Sequence, residues 1–389
     1  MSGRAHVAGA GMITFGRHKS SSYAGLAVPA VLAALSSAGV TPGEVDAVWC
    51  GHAFGGMLTG QRIVTAVGIG GVPVTNVDNA CSGGATALHA AQRAVRDGHC
   101  EIALVIGVDK LTQFGGGTLP LVTEDWEVRQ GMVMPAMYAM RARRYLHDRG
   151  AVIEDLAEVT VKARRHAARN PYAQYRSPVT AEEVLSSRMI AEPLTMLQCC
   201  PTGDGAAALV VVSDAALRRL SGPAMTIRAS ALHSGSYVPG FRDMIRPEIT
   251  YECAADAYAE AGVSPSDLDV VELHDAFSVA ELVYYEALGL CEPGEGVKML
   301  RSGQTSLGGP LVVNPSGGLL SKGHPVGASG AAQVVEAFWQ LTGAAEDRQV
   351  PGARLALTHV TGGGISGLDH GACGIHIFER FSSPKGARA

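Results

Sequence analysis

Cysteine and histidine can act as reagents when backbone geometry exposes them, and this chain holds three such residues where a strand or a glycine turn gives way to a helix. Cys81 lies in VTNVDNACSGGATALHAA, an apolar strand that runs through small residues into an Ala-rich helix. A sulfur at a helix N-terminus meets the positive end of the dipole and unpaired N–H groups, both of which favour the thiolate. The glycines that follow let a carbonyl approach the backbone. Taken alone, Cys81 is equally well explained as a small buried residue, as most free cysteines are.

Two histidines change that balance. His324 lies in NPSGGLLSKGHPVGASGAAQ, where a His-Pro step opens a second Ala-rich helix and Pro325 suits the first helical turn. His274 lies in VVELHDAFSVAE, at the end of an apolar strand, where sites are commonly built. The neighbouring Asp275 has the type of a turn or capping group. In HVTGGGISG a strand ends in Gly362, Gly363 and Gly364, a run that suits backbone N–H groups aimed at a ligand oxygen; a flexible turn explains it as simply.

The elements that must position these residues come in two copies. Ala38-Gly39-Val40-Thr41-Pro42-Gly43-Glu44-Val45-Asp46-Ala47-Val48 returns as Ala261-Gly262-Val263-Ser264-Pro265-Ser266-Asp267-Leu268-Asp269-Val270-Val271, and the match runs on to Ala53-Phe54 and Ala276-Phe277. His274 then corresponds to Gly51 and Asp275 to His52, so the fold itself does not require a histidine at 274. Ala90-Ala91-Gln92, after Cys81, likewise matches Ala331-Ala332-Gln333, after His324. Two matching helix starts can bring a sulfur and an imidazole together at a pseudo-twofold axis. Apolar strands follow each helix, so each half reads as an α/β layer with a mixed sheet. Small side chains on both helices allow close packing, and the expected architecture is a five-layer α-β-α-β-α sandwich. The first half spans 1–245 and the second 246–389. Within the first, about 111–195 is richer in charge and aromatics and reads as helices laid over the core, a lid or binding loop.

Composition removes several functions. The formal charge is only −5 and no stretch concentrates Lys and Arg, which argues against nucleic acid as a partner. No apolar run approaches the roughly 20 residues of a membrane helix, and the first residues lack a secretory pattern, so the expected place is the cytoplasm, with no membrane. Eight cysteines at 50, 81, 100, 199, 200, 253, 291 and 373 show no paired metal spacing, and no metal is expected. The adjacent Cys199 and Cys200 read as core packing.

Together, NACSGG at Cys81, DGAAALVV from Asp204, HDAF at His274, GHPVGASG at His324 and the terminal GGG resemble the thiolase superfamily along nearly the whole chain. HDAF in place of Asn-Glu-Ala-Phe is similar to the sterol-carrier-protein-type branch. The resemblance implies a homodimer acting on acyl-CoA thioesters, with coenzyme A as part of the substrate and no separate cofactor. It implies that Cys81 is acylated, that His324 activates its thiol, and that His274 helps hold a first thioester oxyanion. The N–H groups of Cys81 and Gly362, in the Gly362-Gly363 turn, would hold a second.

One departure bears on the reaction. Condensing thiolases use a second cysteine to remove an α-proton, just before the glycine triplet or within an HDCF turn; here those places hold Val360 and Ala276. His359, Cys373 or a water could substitute. A decarboxylating, ketoacyl-synthase-like reaction through Cys-His-His would need no such base, nor would transfer to an already nucleophilic carbon. A lyase or scaffold subunit beside a small OB-fold, zinc-ribbon partner is the reading from another class.

Overall fold

The repeated sequence folds into the same local structure twice. The helix Tyr23–Ala38 ends on Gly39 (φ 67°) and the helix Glu248–Ala261 ends on Gly262 (φ 66°), left-handed positions that a residue without a Cβ takes without strain. In the turn after each helix a carboxylate closes on a hydroxyl residue. The Thr41 N–H and Oγ1 donate to Glu44 (2.8 and 2.7 Å), and the Ser264 N–H and Oγ donate to Asp267 (2.7 and 2.7 Å). The next carboxylate, Asp46 or Asp269, accepts two backbone N–H groups at the start of a distant strand: Glu101 and Ile102 in one copy, Arg354 and Leu355 in the other.

In this computed structural model residues 3–237, 240, 242–364 and 369–382 are described. Its strands are β1 (Ala5–Met12), β2 (Ala47–Gly51), β3 (Val74–Val77), β4 (Ile102–Lys110), β5 (Met189–Ala191), β6 (Leu194–Thr195), β7 (Asp204–Ser213), β8 (Met225–Ser234), β9 (Val270–Glu272), β10 (Val312–Val313), β11 (Leu355–Gly362) and β12 (Ala372–Arg380). Strands β5 and β6 pair with each other, and the other ten run β10-β9-β11-β12-β8-β1-β7-β4-β2-β3. Each group of five has the same directions: β2 is parallel to β3 and β4, β9 is parallel to β10 and β11, and the remaining pairs within each group are antiparallel. Among the described residues the groups meet where β1 touches β8, at His6↔Thr226 and Val7↔Met225.

Strand β8 holds in the second group the place β1 holds in the first, and it leads into the helix Glu248–Ala261 as β1 leads into Tyr23–Ala38. The duplicated unit therefore begins at Met225, ahead of the boundary at 246 expected from sequence. Beyond an apolar pattern, AHVAGAGM and MTIRASALHS share nothing that marks it.

The helices Gly83–Arg96 and Ser329–Thr342 each touch strands of both groups and form the middle layer of the sandwich. Glycine makes this possible. A Cβ on Gly84 would lie 2.7 Å from the Gly327 carbonyl oxygen and 2.8 Å from the Ala331 nitrogen; one on Gly330 would lie 2.6 Å from the Ala85 nitrogen. Outside this layer, Tyr23–Ala38 covers the first five strands and Glu248–Ala261 the second.

The insertion is more firmly built than a lid. Its helices Met134–Arg149 and Ile153–Ala167 send Tyr138, Ala142, Tyr145, Leu156, Val159 and Ala163 into the same apolar cluster as the helix Ser278–Ala287. Among the described residues no helix is long and apolar enough to cross a membrane.

Close packing of the two central helices makes Gly330→Ala a test of the middle layer. The added methyl meets the main chain and the Cβ of Ala85, neither of which can swing aside, so we expect a loss of about 1–3 kcal/mol in chemical denaturation. An unchanged midpoint would show that the helices can part at no cost.

Candidate active site

Cys81 is delivered by a sharp turn. The strand β3 ends at Val77, Ala80 takes a left-handed conformation (φ 48°) that costs a residue with a Cβ of order 1 kcal/mol, and a single 3-10 turn over Ala80–Ser82 feeds the central helix. Side chains hold this conformation. The Asp78 carboxylate accepts the Ala80 N–H (3.0 Å), the Asn79 amide donates to Thr86 Oγ1 (3.0 Å), and Thr86 Oγ1 donates to the Ser82 carbonyl (2.9 Å).

His324 arrives from the other half. A 3-10 turn, Val326–Ala328, separates it from the helix Ser329–Thr342, so Pro325 precedes that turn instead of opening the α-helix as expected from sequence. Ser329 Oγ donates to the Pro325 carbonyl (2.9 Å) and must therefore accept from His324 Nδ1 (2.7 Å). That network assigns the proton to Nδ1 and leaves Nε2 with a free lone pair.

His274 follows β9. Leu273 N–H donates to Asn314 Oδ1 (2.8 Å), the His274 N–H reaches toward His359 Nδ1 (3.5 Å), and His274 Nδ1 has no partner among the described residues. The rings of His274 and His324 meet edge to face with centroids 5.1 Å apart. One donor atom from each of Cys81, His274 and His324 lies within 4.8 Å of the other two. A carbonyl oxygen fits among them, and a soft cation could use the same donors.

Burial sets the charge state. It pushes the Cys81 thiol up to about 11 although part of the residue reaches solvent, while the N–H groups of Gly363 and of Cys81 itself oppose the shift. Burial also lowers both imidazoles, His324 to about 3 with Lys322 contributing, and His274 well below its ordinary value with His324 and His359 contributing. At neutral pH the resting site is thus a neutral thiol beside neutral imidazoles. A thiolate forms when a carbonyl is in place to draw the proton across to a histidine.

The glycine triplet divides its work. Gly363 (φ 66°) supplies an N–H to the Cys81 sulfur. Gly362 lets the chain pass Asn79 and Ser82, since a Cβ there would lie 2.2 Å from the Asn79 carbonyl oxygen, and its own carbonyl accepts from Gly371 (3.1 Å).

Supports invisible to local sequence reasoning lie behind these groups. The Asp109 carboxylate, at the end of β4, accepts the N–H groups of Ala53 (3.0 Å), Phe54 (3.0 Å) and Gly327 (2.7 Å), tying a first-half loop to the turn after His324. Asp275 is a capping group, as its type suggests: one oxygen accepts the Leu319 N–H (2.6 Å), the other has no partner among the described residues, and burial pushes the carboxyl up to about 8. A buried Lys322–Glu272 pair (3.2 Å) fixes the same loop to β9.

Two candidate substitutes for the second cysteine point elsewhere. The Cys373 thiol engages Cys253 and Thr250 on the outer helix, and His359 lies between Thr250 Oγ1 (3.3 Å) and the His274 backbone, with its ring against Tyr284. All eight cysteines are free, and the Cys199 thiol donates to the Thr195 carbonyl (3.4 Å). A surface groove of about 620 Å³ contains Arg143 and Arg144 but none of the three reactive residues. Its arginines are paired with Glu192 and Asp148.

Comparison with known proteins bears on this arrangement. Residues 5–215 match the family described as thiolase, N-terminal domain, and residues 231–369 match thiolase C-terminal domain-like. The chain is similar to benzoylsuccinyl-CoA thiolase subunit BbsB of Thauera aromatica, 44% identical over 93% of this chain and 95% of that protein. It is 38% identical to sterol carrier protein 2 of Homo sapiens, over 92% of this chain and 70% of that protein. A solved structure named Ltp2-ChsH2(DUF35) aldolase superposes with a TM-score of 0.84 at 29% identity, covering 97% of this chain and 98% of the other.

The protonation state assigned to Cys81 can be read by alkylation. With the thiol near 11, its rate of modification by iodoacetamide, followed peptide by peptide, should rise about tenfold per pH unit from 7 to 10. A rate already level at pH 7 would instead reveal a preformed thiolate–imidazolium pair.

Proposed function

The chain belongs to the thiolase family and is a thiolase-type acyl-CoA C-acyltransferase, and from that premise we propose how its residues divide the reaction. Cys81 takes the acyl group as a thioester. His324 Nε2 receives the thiol proton and passes it to the departing CoA sulfur, while His274 holds the oxyanion of the attacking thioester. The N–H groups of Cys81 and of the Gly362-Gly363 turn hold the second oxyanion, on the acyl-enzyme. The convergence of Cys81, His274 and His324 within 4.8 Å is the observation that carries this reading. Their preorganised donors matter because a dipole already in place needs no reorganisation as charge develops.

The substrate in this proposal is a 3-oxoacyl-CoA that is cleaved with free CoA, or formed in the reverse direction. The relative named benzoylsuccinyl-CoA thiolase supports a bulky acyl group over acetyl alone. We further propose a cytoplasmic homodimer with a smaller companion protein. That companion is in keeping with the word subunit in the name of one relative and with the solved structure whose name couples Ltp2 to ChsH2(DUF35). The aldolase in that name also favours a second reading, carbon–carbon lyase chemistry on the same fold.

Intact-protein mass measurement separates these readings. Incubation with benzoyl-CoA or acetyl-CoA should add one acyl mass, located on Cys81 and absent from Cys81→Ala. His324→Ala should slow acylation by roughly 10²–10⁴-fold, the usual range for a lost general base. A chain that cleaves a carbon–carbon bond without ever carrying acyl on Cys81 would be a lyase.

A further inference from the structure

Condensation of two acyl-CoA thioesters without decarboxylation needs a group that takes a proton from carbon, and neither Val360 nor Ala276 can do so. A different set of side chains converges beside Cys81. The Asp369 carboxylate accepts from His370 Nδ1 (2.9 Å), and His370 Nε2 lies 3.0 Å from the Tyr138 hydroxyl. Arg141 holds the other Asp369 oxygen (2.5 Å). Burial alone would raise Asp369, but His370 and Arg141 overcome it and keep the carboxyl below its usual range. An ionised Asp369 can only accept, so His370 carries its proton on Nδ1, and Nε2 accepts from the Tyr138 O–H. All four side chains are buried.

The set lies near the reactive sulfur. Tyr138 stacks on Phe277, three residues beyond His274, with ring centroids 4.4 Å apart, and a Cβ on Gly364 would lie 3.2 Å from the end of Met137. Gly363, next to Gly364, touches the Cys81 sulfur through its N–H. A negative charge on Cys81 is felt at the Tyr138 phenol, and His370 is among the charges felt at His274. A buried Arg141–Asp369 pair would suffice to clip the insertion onto the second half. It gives no reason for a histidine and a phenol to extend the chain of hydrogen bonds.

We propose that Tyr138, backed by His370 and Asp369, is the proton-transfer group that works in place of the second cysteine. This rests on the acyltransferase reading given above. In condensation, the α-C–H bond of a second acyl-CoA breaks and its proton goes to the Tyr138 oxygen as the phenol proton moves to His370 Nε2. The imidazolium is held by Asp369. The carbon then attacks the Cys81 thioester, a C–C bond forms, and the C–S bond breaks. The proton returns through Tyr138 to restore the Cys81 thiol. Thiolysis runs the same steps in reverse, with Tyr138 protonating the departing carbon. Tyr138 is the catalytic residue in this scheme, and His370 and Asp369 are positioning residues.

The test follows acetyl-CoA in D₂O with the full chain, reading deuterium in its methyl group alongside acetyl on Cys81. The unaltered enzyme should acylate and exchange. Tyr138→Phe should still acylate while exchange falls at least about 100-fold, and His370→Gln should acylate with a fall of about tenfold or more. Exchange in Tyr138→Phe within about twofold of the unaltered enzyme overturns the proposal, as does an unaltered enzyme that acylates without exchanging. Should Tyr138→Phe fail to fold, unchanged exchange in His370→Gln overturns it equally. Failure of the unaltered Cys81 to acylate would strike the acyltransferase reading itself.

Discussion

The two central helices touch backbone to backbone, and the rest of the molecule is arranged around that contact. Gly84, Gly327 and Gly330 lie where any side chain would collide with main-chain atoms of the opposing half. Because both helices also begin at this contact, the elements carrying Cys81 and His324 start side by side. A separation set by a Cβ would move sulfur and imidazole apart by more than a hydrogen bond tolerates. The same closeness seals the site among apolar atoms, which is why its thiol and imidazoles are all displaced toward their uncharged forms.

A reactive centre kept neutral in this way relies on dipoles more than on formal charge. The free Nε2 of His324 is set by one hydroxyl, that of Ser329, whose own proton is committed to a carbonyl. The ionised groups nearby are consumed in support: Asp109 on three backbone N–H groups, Lys322 and Glu272 on each other, Arg141 and Asp369 on each other. Each pairing satisfies a charge that would be costly to bury alone, and each joins segments that the chain brings in from far apart.

That distance explains what sequence reasoning can reach. Cys81, His324 and the duplicated helix starts are legible because strand, glycine and helix signals are local, and because Ala38–Val48 and Ala261–Val271 agree residue by residue. His274 stands out since its counterpart is Gly51. Asp109 is not legible: its partner Gly327 is 218 positions away and nothing in IALVIGVDK marks the carboxylate as a bracket. Ala80, a left-handed alanine, carries no glycine to announce it. The link of Tyr138 to His370 joins residues 232 apart. The start of the second half escapes local reading because β8 and β1 share only apolarity.

The join between the strand groups is narrow, resting on His6 opposite Thr226 and Val7 opposite Met225. Two rungs of ladder cannot lock the tilt of one five-stranded slab against another. Alignment of the halves is therefore governed from inside, by the helical filling, and the sheet merely follows. All four residues of that join are themselves buried, so it is as closed to added volume as the helices it borders.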